Sequence, residues 1–362
     1  MLNGDSPAPL NLSIWVSRCP DKPRAAAASG ALSSVGMSGP PDVDYRATSL
    51  RPTWDALPEA LKHALSVALG TDIVDASPSV TSGFTGGFAA PVRLADGRRV
   101  FVKASDNTLH SYGAYQREAE VVPQLPDAAQ APAIITTART DDWFAVVSEW
   151  VDARMPGAPW TAADFAVVTA RCEALADAMT PSPIAGLDTF LMDLESGESA
   201  LLVPEQILAG DRPLPRGLQE WVPRVLPELA DLMNAVPDAL SGTAATHGDL
   251  RPDNLLVDTT GTCWTVDWNW LALGPRWMDW VGLLPVAQHQ GIDTGTAIRS
   301  SSLTADVPAD ELDCFIAVIA AYMLKNPDTP PPHGTTPALR EHQRFYAWTF
   351  LDWLATRRGW TA

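Results

Sequence analysis

His247-Gly248-Asp249-Leu250-Arg251-Pro252-Asp253-Asn254, followed by Thr265-Val266-Asp267-Trp268, is the stretch on which the reading of this chain turns. Asp249 and Asn254 stand at two ends of a short loop, and Asp267 comes 13 residues after Asn254. Between them, Leu255–Val257 and Cys263–Val266 predict a β-hairpin around Thr259-Thr260-Gly261, which leaves Asp267 at the end of a strand. Moving a phosphoryl group asks for a carboxylate that accepts a hydroxyl proton and for oxygen ligands that hold magnesium against phosphates. The loop supplies one of each, and Asp267 supplies a second oxygen donor. Magnesium needs few protein ligands because phosphate oxygens and water complete its shell. A chance loop of this composition would use Asp and Asn only as helix caps.

The two segments together resemble the aminoglycoside phosphotransferase family, small-molecule relatives of the protein kinases, whose loop reads H-G-D-x-x-x-x-N. The apolar-Asp-aromatic run Val266-Asp267-Trp268 is similar to the segment that stands there for D-F-G. The resemblance implies an α+β, protein-kinase-like two-lobed fold, with a small β-rich N-lobe and a larger, mostly helical C-lobe. It implies ATP and Mg²⁺, with Asp249 as catalytic base and Asn254 and Asp267 as metal ligands. Arg251 is either a catalytic cation that neutralises the transferred group or half of a structural salt bridge. Lys103, in Val100-Phe101-Val102-Lys103-Ala104, takes the place of the strand lysine that touches the phosphates. Its implied partner is Glu118, with Glu120 as the rival. Gly83, Gly86 and Gly87 resemble the glycine loop between the first two strands, although an ordinary hairpin turn would look the same. Glu149 and Val151 close the last small-lobe strand, where backbone groups would meet adenine. His247 is read as a packing residue and Asp279 as a brace for the catalytic loop.

Working outward, the remaining pattern divides into two parts. A helix is predicted over Pro58–Leu69, from leucines at four-residue spacing before Gly70. Strands are expected at Val80–Phe88, Pro91–Leu94 and Arg99–Ala104, a helix near Ser111–Leu125, and strands at Ile134–Thr137 and Phe144–Trp150. Later helices are predicted at Ala162–Met179, Leu218–Val236, Trp277–Gln290, Pro308–Leu324 and Pro337–Arg358, with loops at Pro181–Gly186 and Pro327–Pro332. This gives residues 46–151 as a nucleotide-binding lobe and 152–362 as a catalytic and substrate lobe. Residues 1–45 read as a disordered tail, or as a misassigned start with translation beginning at Met37.

Composition limits the partners. The chain of 362 residues carries 43 acidic and 25 Lys or Arg side chains, a net charge of −18. Such a field repels phosphate backbones, so nucleic acid is not expected. From Asp152 onward there are 27 acids against 13 bases, and before it 16 against 12. That asymmetry suits a cationic substrate on the second half, or simply a soluble acidic surface. Cys19, Cys172, Cys263 and Cys314 are scattered, without zinc or disulfide spacing. No apolar run approaches the roughly 20 residues of a membrane span. Leu10–Val16 is too short for a secretory core, so the expected location is cytoplasmic. No obligatory protein partner is inferred.

The expected partner is a small-molecule hydroxyl acceptor. It could be aminoglycoside-like or otherwise cationic, a small polyol, a macrolide, or a metabolite of choline, homoserine or fructosamine type. It should lie among helices after Trp277. The tryptophans of this region, Trp264, Trp268, Trp270, Trp277 and Trp280, either wall that cleft or make core. Readings from other classes are a non-catalytic nucleotide-binding module and a protein kinase. The absence of an A-P-E segment and the Trp268-Asn269 pair count against the second.

Overall fold

The computed structural model describes residues 39–40, 43–195 and 198–360. Met37, Cys19 and most of the expected tail lie outside them. Val43 and Tyr45, by contrast, pack partly buried against the large-lobe core.

The small lobe is built on a five-stranded antiparallel sheet. Helix α1 (Glu59–Leu69) comes first, then β1 (Ile73–Ala76), β2 (Phe88–Leu94), β3 (Arg99–Asp106), α2 (Ser111–Val121), β4 (Ile134–Arg139) and β5 (Trp143–Glu149). The spatial order is β1-β2-β3-β5-β4. Alternation along β3 sends Val100, Val102 and Ala104 into a core shared with Leu57, Leu61 and Leu65 of the α1 region. Each fully buried leucine of that stripe is worth roughly 1.5–3 kcal/mol of transfer free energy. Lys103 is out of phase with those residues and faces the side on which α2 packs.

The expected first strand is displaced. Residues 77–87 form a loop, and the first strand is β1, a four-residue edge strand whose Asp75 and half-exposed neighbours gave no apolar pattern. The glycine-bearing segment is therefore wholly the connection between β1 and β2.

The large lobe comprises β6 (Ala153–Arg154), α3 (Ala162–Ala178), α4 (Phe190–Glu195), α5 (Val203–Ala209), α6 (Val222–Ala239), β7 (Ala244–Thr246), β8 (Leu255–Asp258), β9 (Cys263–Thr265), β10 (Ala272–Gly274), α7 (Met278–His289), α8 (Thr294–Ser300), α9 (Ala309–Met323) and α10 (Ala338–Arg358). Helix α6 starts at Val222 rather than Leu218, because Pro223 suits a first turn and its missing N–H costs nothing there. Its stripe of Val222, Val225, Leu226, Leu229, Leu232, Met233 and Val236 is buried in the core that α7, α9 and α10 share. The short elements α4, α5, α8, β6, β7 and β10 were not anticipated, since two to seven residues carry too little periodicity.

Two of those short strands position the site. β7 pairs antiparallel with β10, Thr246 opposite Ala272, and β8 pairs with β9, Leu255 opposite Thr265. The segment 247–254 thus spans from one small sheet to the other, and 266–271 makes the return crossing beside it. A core cluster of Val121 and Val122 with Leu175, Met179, Trp268 and Leu271 packs the end of α2 against this second crossing.

Candidate active site

The loop from His247 to Asn254 is held from below. Burial makes an unpaired backbone N–H costly, and here two are claimed by one carboxylate. Asp279 accepts the N–H of His247 and that of Gly248. His247 is fully buried and bonds the Val266 carbonyl through Nε2 at 2.9 Å. A carbonyl only accepts, so Nε2 carries the proton and Nδ1 is left to receive the Asp249 N–H at 3.4 Å. Burial also pushes the imidazole pKa down, and both nitrogens are engaged. The packing reading of His247 agrees with this geometry. Gly248 has φ +78°, and a Cβ there would stand 2.4 Å from the Trp270 carbonyl oxygen, so only glycine lets the two crossings approach.

Asp249, Asn254 and Asp267 come together. The Asn254 amide nitrogen donates to the Asp249 carbonyl at 2.8 Å and lies 3.5 Å from its carboxylate. These contacts engage the amide nitrogen and not its oxygen, which could serve a cation. Val266 donates its N–H to the Asn254 carbonyl at 3.0 Å, which sets Asp267 beside the loop. Asp267 has φ +65°, a strained value for a residue with a side chain. Its carboxylate touches the Lys103 ammonium. Burial alone would raise the Asp267 carboxyl, but the Lys103 charge outweighs it and holds the group below its ordinary value.

Lys103 is also bonded to both Glu118 oxygens, each at 2.8 Å. The choice between Glu118 and Glu120 is thereby visible. Glu118 and Tyr115 lie on the buried face of α2, whereas Glu120 is exposed and pairs loosely with Arg117 at 3.8 Å. Arg251 makes the ion pairs foreseen as one of its alternatives. It touches the Asp249 carboxylate and clasps Asp253 at 3.0 and 3.1 Å. Burial pushes the Asp249 carboxyl up, and Arg251 opposes this without cancelling it.

The glycine loop lies over this group. A Cβ on Gly86 would meet the Gly334 carbonyl oxygen at 2.7 Å, and one on Gly87 the Ala104 carbonyl oxygen at 2.8 Å. Gly83 offers its carbonyl to the Thr48 hydroxyl. Glu149 lies at the end of β5, where its N–H pairs with the Ala133 carbonyl, and Val151 follows before β6.

Several residues that the sequence did not single out stand against the site. Arg51 donates to the Ser82 and Gly87 carbonyls at 3.1 and 2.8 Å, and to the Thr85 and Tyr115 hydroxyls. Phe84, at the loop's tip, is buried under the Arg251 guanidinium and 4.7 Å from the His342 ring. Neither carries a signal in one sequence, because an arginine before a helix and a phenylalanine among glycines are ordinary. The tryptophans divide between the two readings. Trp268, Trp277 and Trp280 are core, while Trp270 lines a cavity of about 140 Å³ beside Asp249. That cavity lies among α7, α9 and α10, which are helices after Trp277 as expected for the acceptor, and α4, which is not.

A small antiparallel sheet over a helical lobe, with a lysine–glutamate pair and a carboxylate loop between them, defines the class of kinase-like phosphotransferases. The chain belongs to the phosphotransferase enzyme family, whose model matches residues 81–299, more than half its length. It is an enzyme that transfers a phosphoryl group to a hydroxyl of a small molecule. Its fold is similar to that of an aminoglycoside phosphotransferase from Alicyclobacillus acidocaldarius, with TM-score 0.51 and 16% identity over 84% of this chain and 96% of that one. A thermostable mutant of aminoglycoside phosphotransferase APH(4)-Ia is likewise similar, with TM-score 0.54 and 14% identity over 82% and 99%. At such identities the likeness is one of fold. None of the curated proteins compared with the chain matches it. No helix among the described residues is long and apolar enough to cross a membrane.

Proposed function

We propose that this enzyme moves the γ-phosphoryl group of ATP to the hydroxyl of a small acceptor, with residues 46–151 holding the nucleotide and 152–362 the acceptor. The observation that carries the reading is the convergence of Asp249, Asn254 and Asp267 at the end of the Lys103–Glu118 pair, with Asp249 also bordering the cavity. Asn254 and Asp267 would hold magnesium. Among the described residues no group of three or more His, Cys, Asp or Glu side chains is arranged as a metal cage. An amide oxygen and one carboxylate nevertheless suit a hard cation that keeps phosphate and water ligands. When bound, the metal and nucleotide supply charge neutralisation and the phosphoryl group itself.

The chain's own residues do the rest. Asp249 accepts the proton of the acceptor hydroxyl, and its raised pKa makes it a better base than an ordinary aspartate. Arg251 keeps that carboxylate ionised and oriented. Lys103, aligned by Glu118, would contact the phosphates under the loop of Gly83, Gly86 and Gly87. The backbone of Glu149 and Val151 would meet the adenine. The test is ADP release from ATP and magnesium against a panel of hydroxyl compounds, using wild type and Asp249→Asn. Equal turnover by the two proteins would remove Asp249 from the mechanism.

A further inference from the structure

The cavity beside Asp249 has walls of a particular kind. Phe190, Trp270, Phe315, Ile319, Met323 and Phe350 are among its lining residues, and the wall as a whole is mainly apolar. Most of the charged and amide groups that reach it are committed to the protein, and the Tyr322 and Tyr346 side chains on the wall add hydroxyls but no charge. Both Asp279 oxygens accept backbone N–H groups, and the Gln343 amide oxygen accepts from Arg340 at 2.7 Å. His342 is bonded to the Tyr45 hydroxyl at 2.8 Å, and Arg251 is clasped by Asp249 and Asp253. Asp193, also on the wall, is driven up to about 7 by burial first and by the neighbouring Asp188 charge second. A site for a polycation would need carboxylates whose oxygens face it, and would not set a guanidinium beside the reacting hydroxyl. The volume, about 140 Å³, is close to that of an apolar cavity of ~150 Å³ that holds a benzene ring.

We propose that the acceptor is an uncharged alcohol with one apolar ring, the ring seated against Trp270, Phe315 and Phe350 and the hydroxyl directed at Asp249. This rests on the phosphotransfer reading and narrows it away from aminated sugars and choline-like cations, which were one of two ways to read the charge asymmetry of the sequence.

Calorimetric titration of the full chain with benzyl alcohol, cyclohexylmethanol, choline and kanamycin tests it. The ring alcohols are expected to bind at least tenfold more tightly than either amine. Gly282 lines the cavity, and an added Cβ would lie 3.7 Å from the Phe315 ring, an ordinary contact. Gly282→Leu should fill the space and weaken ring-alcohol binding at least tenfold, with a thermal melt to check that it folds. Should it not fold, Ile319→Phe is read in the same way. Choline or kanamycin binding as tightly as the ring alcohols overturns the proposal, as does a folded filling variant that binds them like wild type. ADP release from the same mixtures separates the two readings. Ring alcohols that bind without ADP formation support the cavity's ligand class and count against phosphotransfer.

Discussion

Asp279, at the start of α7, accepts the backbone N–H of His247 at 2.7 Å with one oxygen, and its other oxygen accepts the N–H of Gly248 at 3.0 Å. The carboxylate therefore sets the height of the loop that carries Asp249, without touching a reacting group. Asp279→Ala leaves two buried donors unpaired, at a cost of roughly 2–4 kcal/mol. A urea titration should show that loss. Because a misplacement of about 1 Å can cost on the order of 100-fold in rate, kcat should fall further than stability alone explains. Asp279→Asn, which keeps one acceptor, should recover part of both.

Asp249 gives a pH signature. Its carboxyl lies above the ordinary 3.8 because of burial, with Arg251 opposing. A base must be ionised, so kcat/KM should decline as pH falls through this raised pKa, earlier than for an exposed aspartate. Arg251→Gln removes the opposing charge and should move the acid limb to higher pH. Asp249→Asn should lower kcat by about 10²–10⁴, the usual contribution of a positioned base. An acid limb that Arg251→Gln leaves in place would separate the arginine from the base.

The Lys103–Glu118 pair is nearly enclosed, with side-chain exposures of 14% and 10%. Removing one member of such a pair strands the other, a cost of roughly 3–5 kcal/mol. Lys103→Met should therefore lower the melting temperature as well as weaken nucleotide binding. Lys103→Met combined with Glu118→Leu should restore part of the stability, Asp267 still lacking its cation, without restoring nucleotide affinity, which differential scanning calorimetry and nucleotide titration would resolve.

The legible parts of this chain are those in which chemistry forces residue type. Asp249, Asn254 and Asp267 are readable because phosphoryl transfer asks for a carboxylate base and oxygen ligands for magnesium, and the two segments that supply them resemble one family's pattern together. Lys103 follows from its apolar strand together with the family resemblance, while the choice of Glu118 over Glu120 is made visible only by the buried face of α2. The long helices α6, α9 and α10 are legible from apolar content over fifteen or more residues. What was not readable depends on contacts between distant segments. Arg51 meets the glycine loop only because residues 48–49 run beside Thr81. The cavity's apolar character arises where α4, α7, α9 and α10 converge, and net charge over half a chain says nothing of one wall. β1 was missed because a short edge strand half-exposed on both faces has no alternation to find.

Asp193 should leave a mark on stability against pH. Its folded pKa of about 7 exceeds the ordinary carboxyl value of 3.8, so the native state binds the extra proton between those limits. For a carboxyl raised in this way, the contribution is complete below the unfolded value and is lost as pH climbs through the folded one. Unfolding free energy should thus slope downward between about pH 4 and 7. Asp193→Asn cannot ionise and should flatten that slope in denaturant titrations at fixed ionic strength. A slope of the same size in the variant would assign it elsewhere.

The glycine loop's approach to the large lobe yields a contrast between two glycines. A methyl on Gly86 would lie 2.7 Å from the Gly334 carbonyl oxygen, a backbone atom that has no rotamer to escape into. Gly113, inside α2, has nothing within 4 Å of the same added atom. Gly86→Ala should cost about 1–3 kcal/mol, as overpacking does, or else lift the loop away from Gly334 and the Arg51 bonds. Gly113→Ala should stabilise by up to about 1 kcal/mol, since alanine is the better helix former. Thermal melts read the first difference. Amide exchange over residues 82–88 reads the second, with faster exchange expected in Gly86→Ala and in Arg51→Gln, where the four donated bonds are lost. Unchanged exchange in Arg51→Gln would mean that the loop is held by Phe84 and its packing under Arg251, and not by the arginine that spans it.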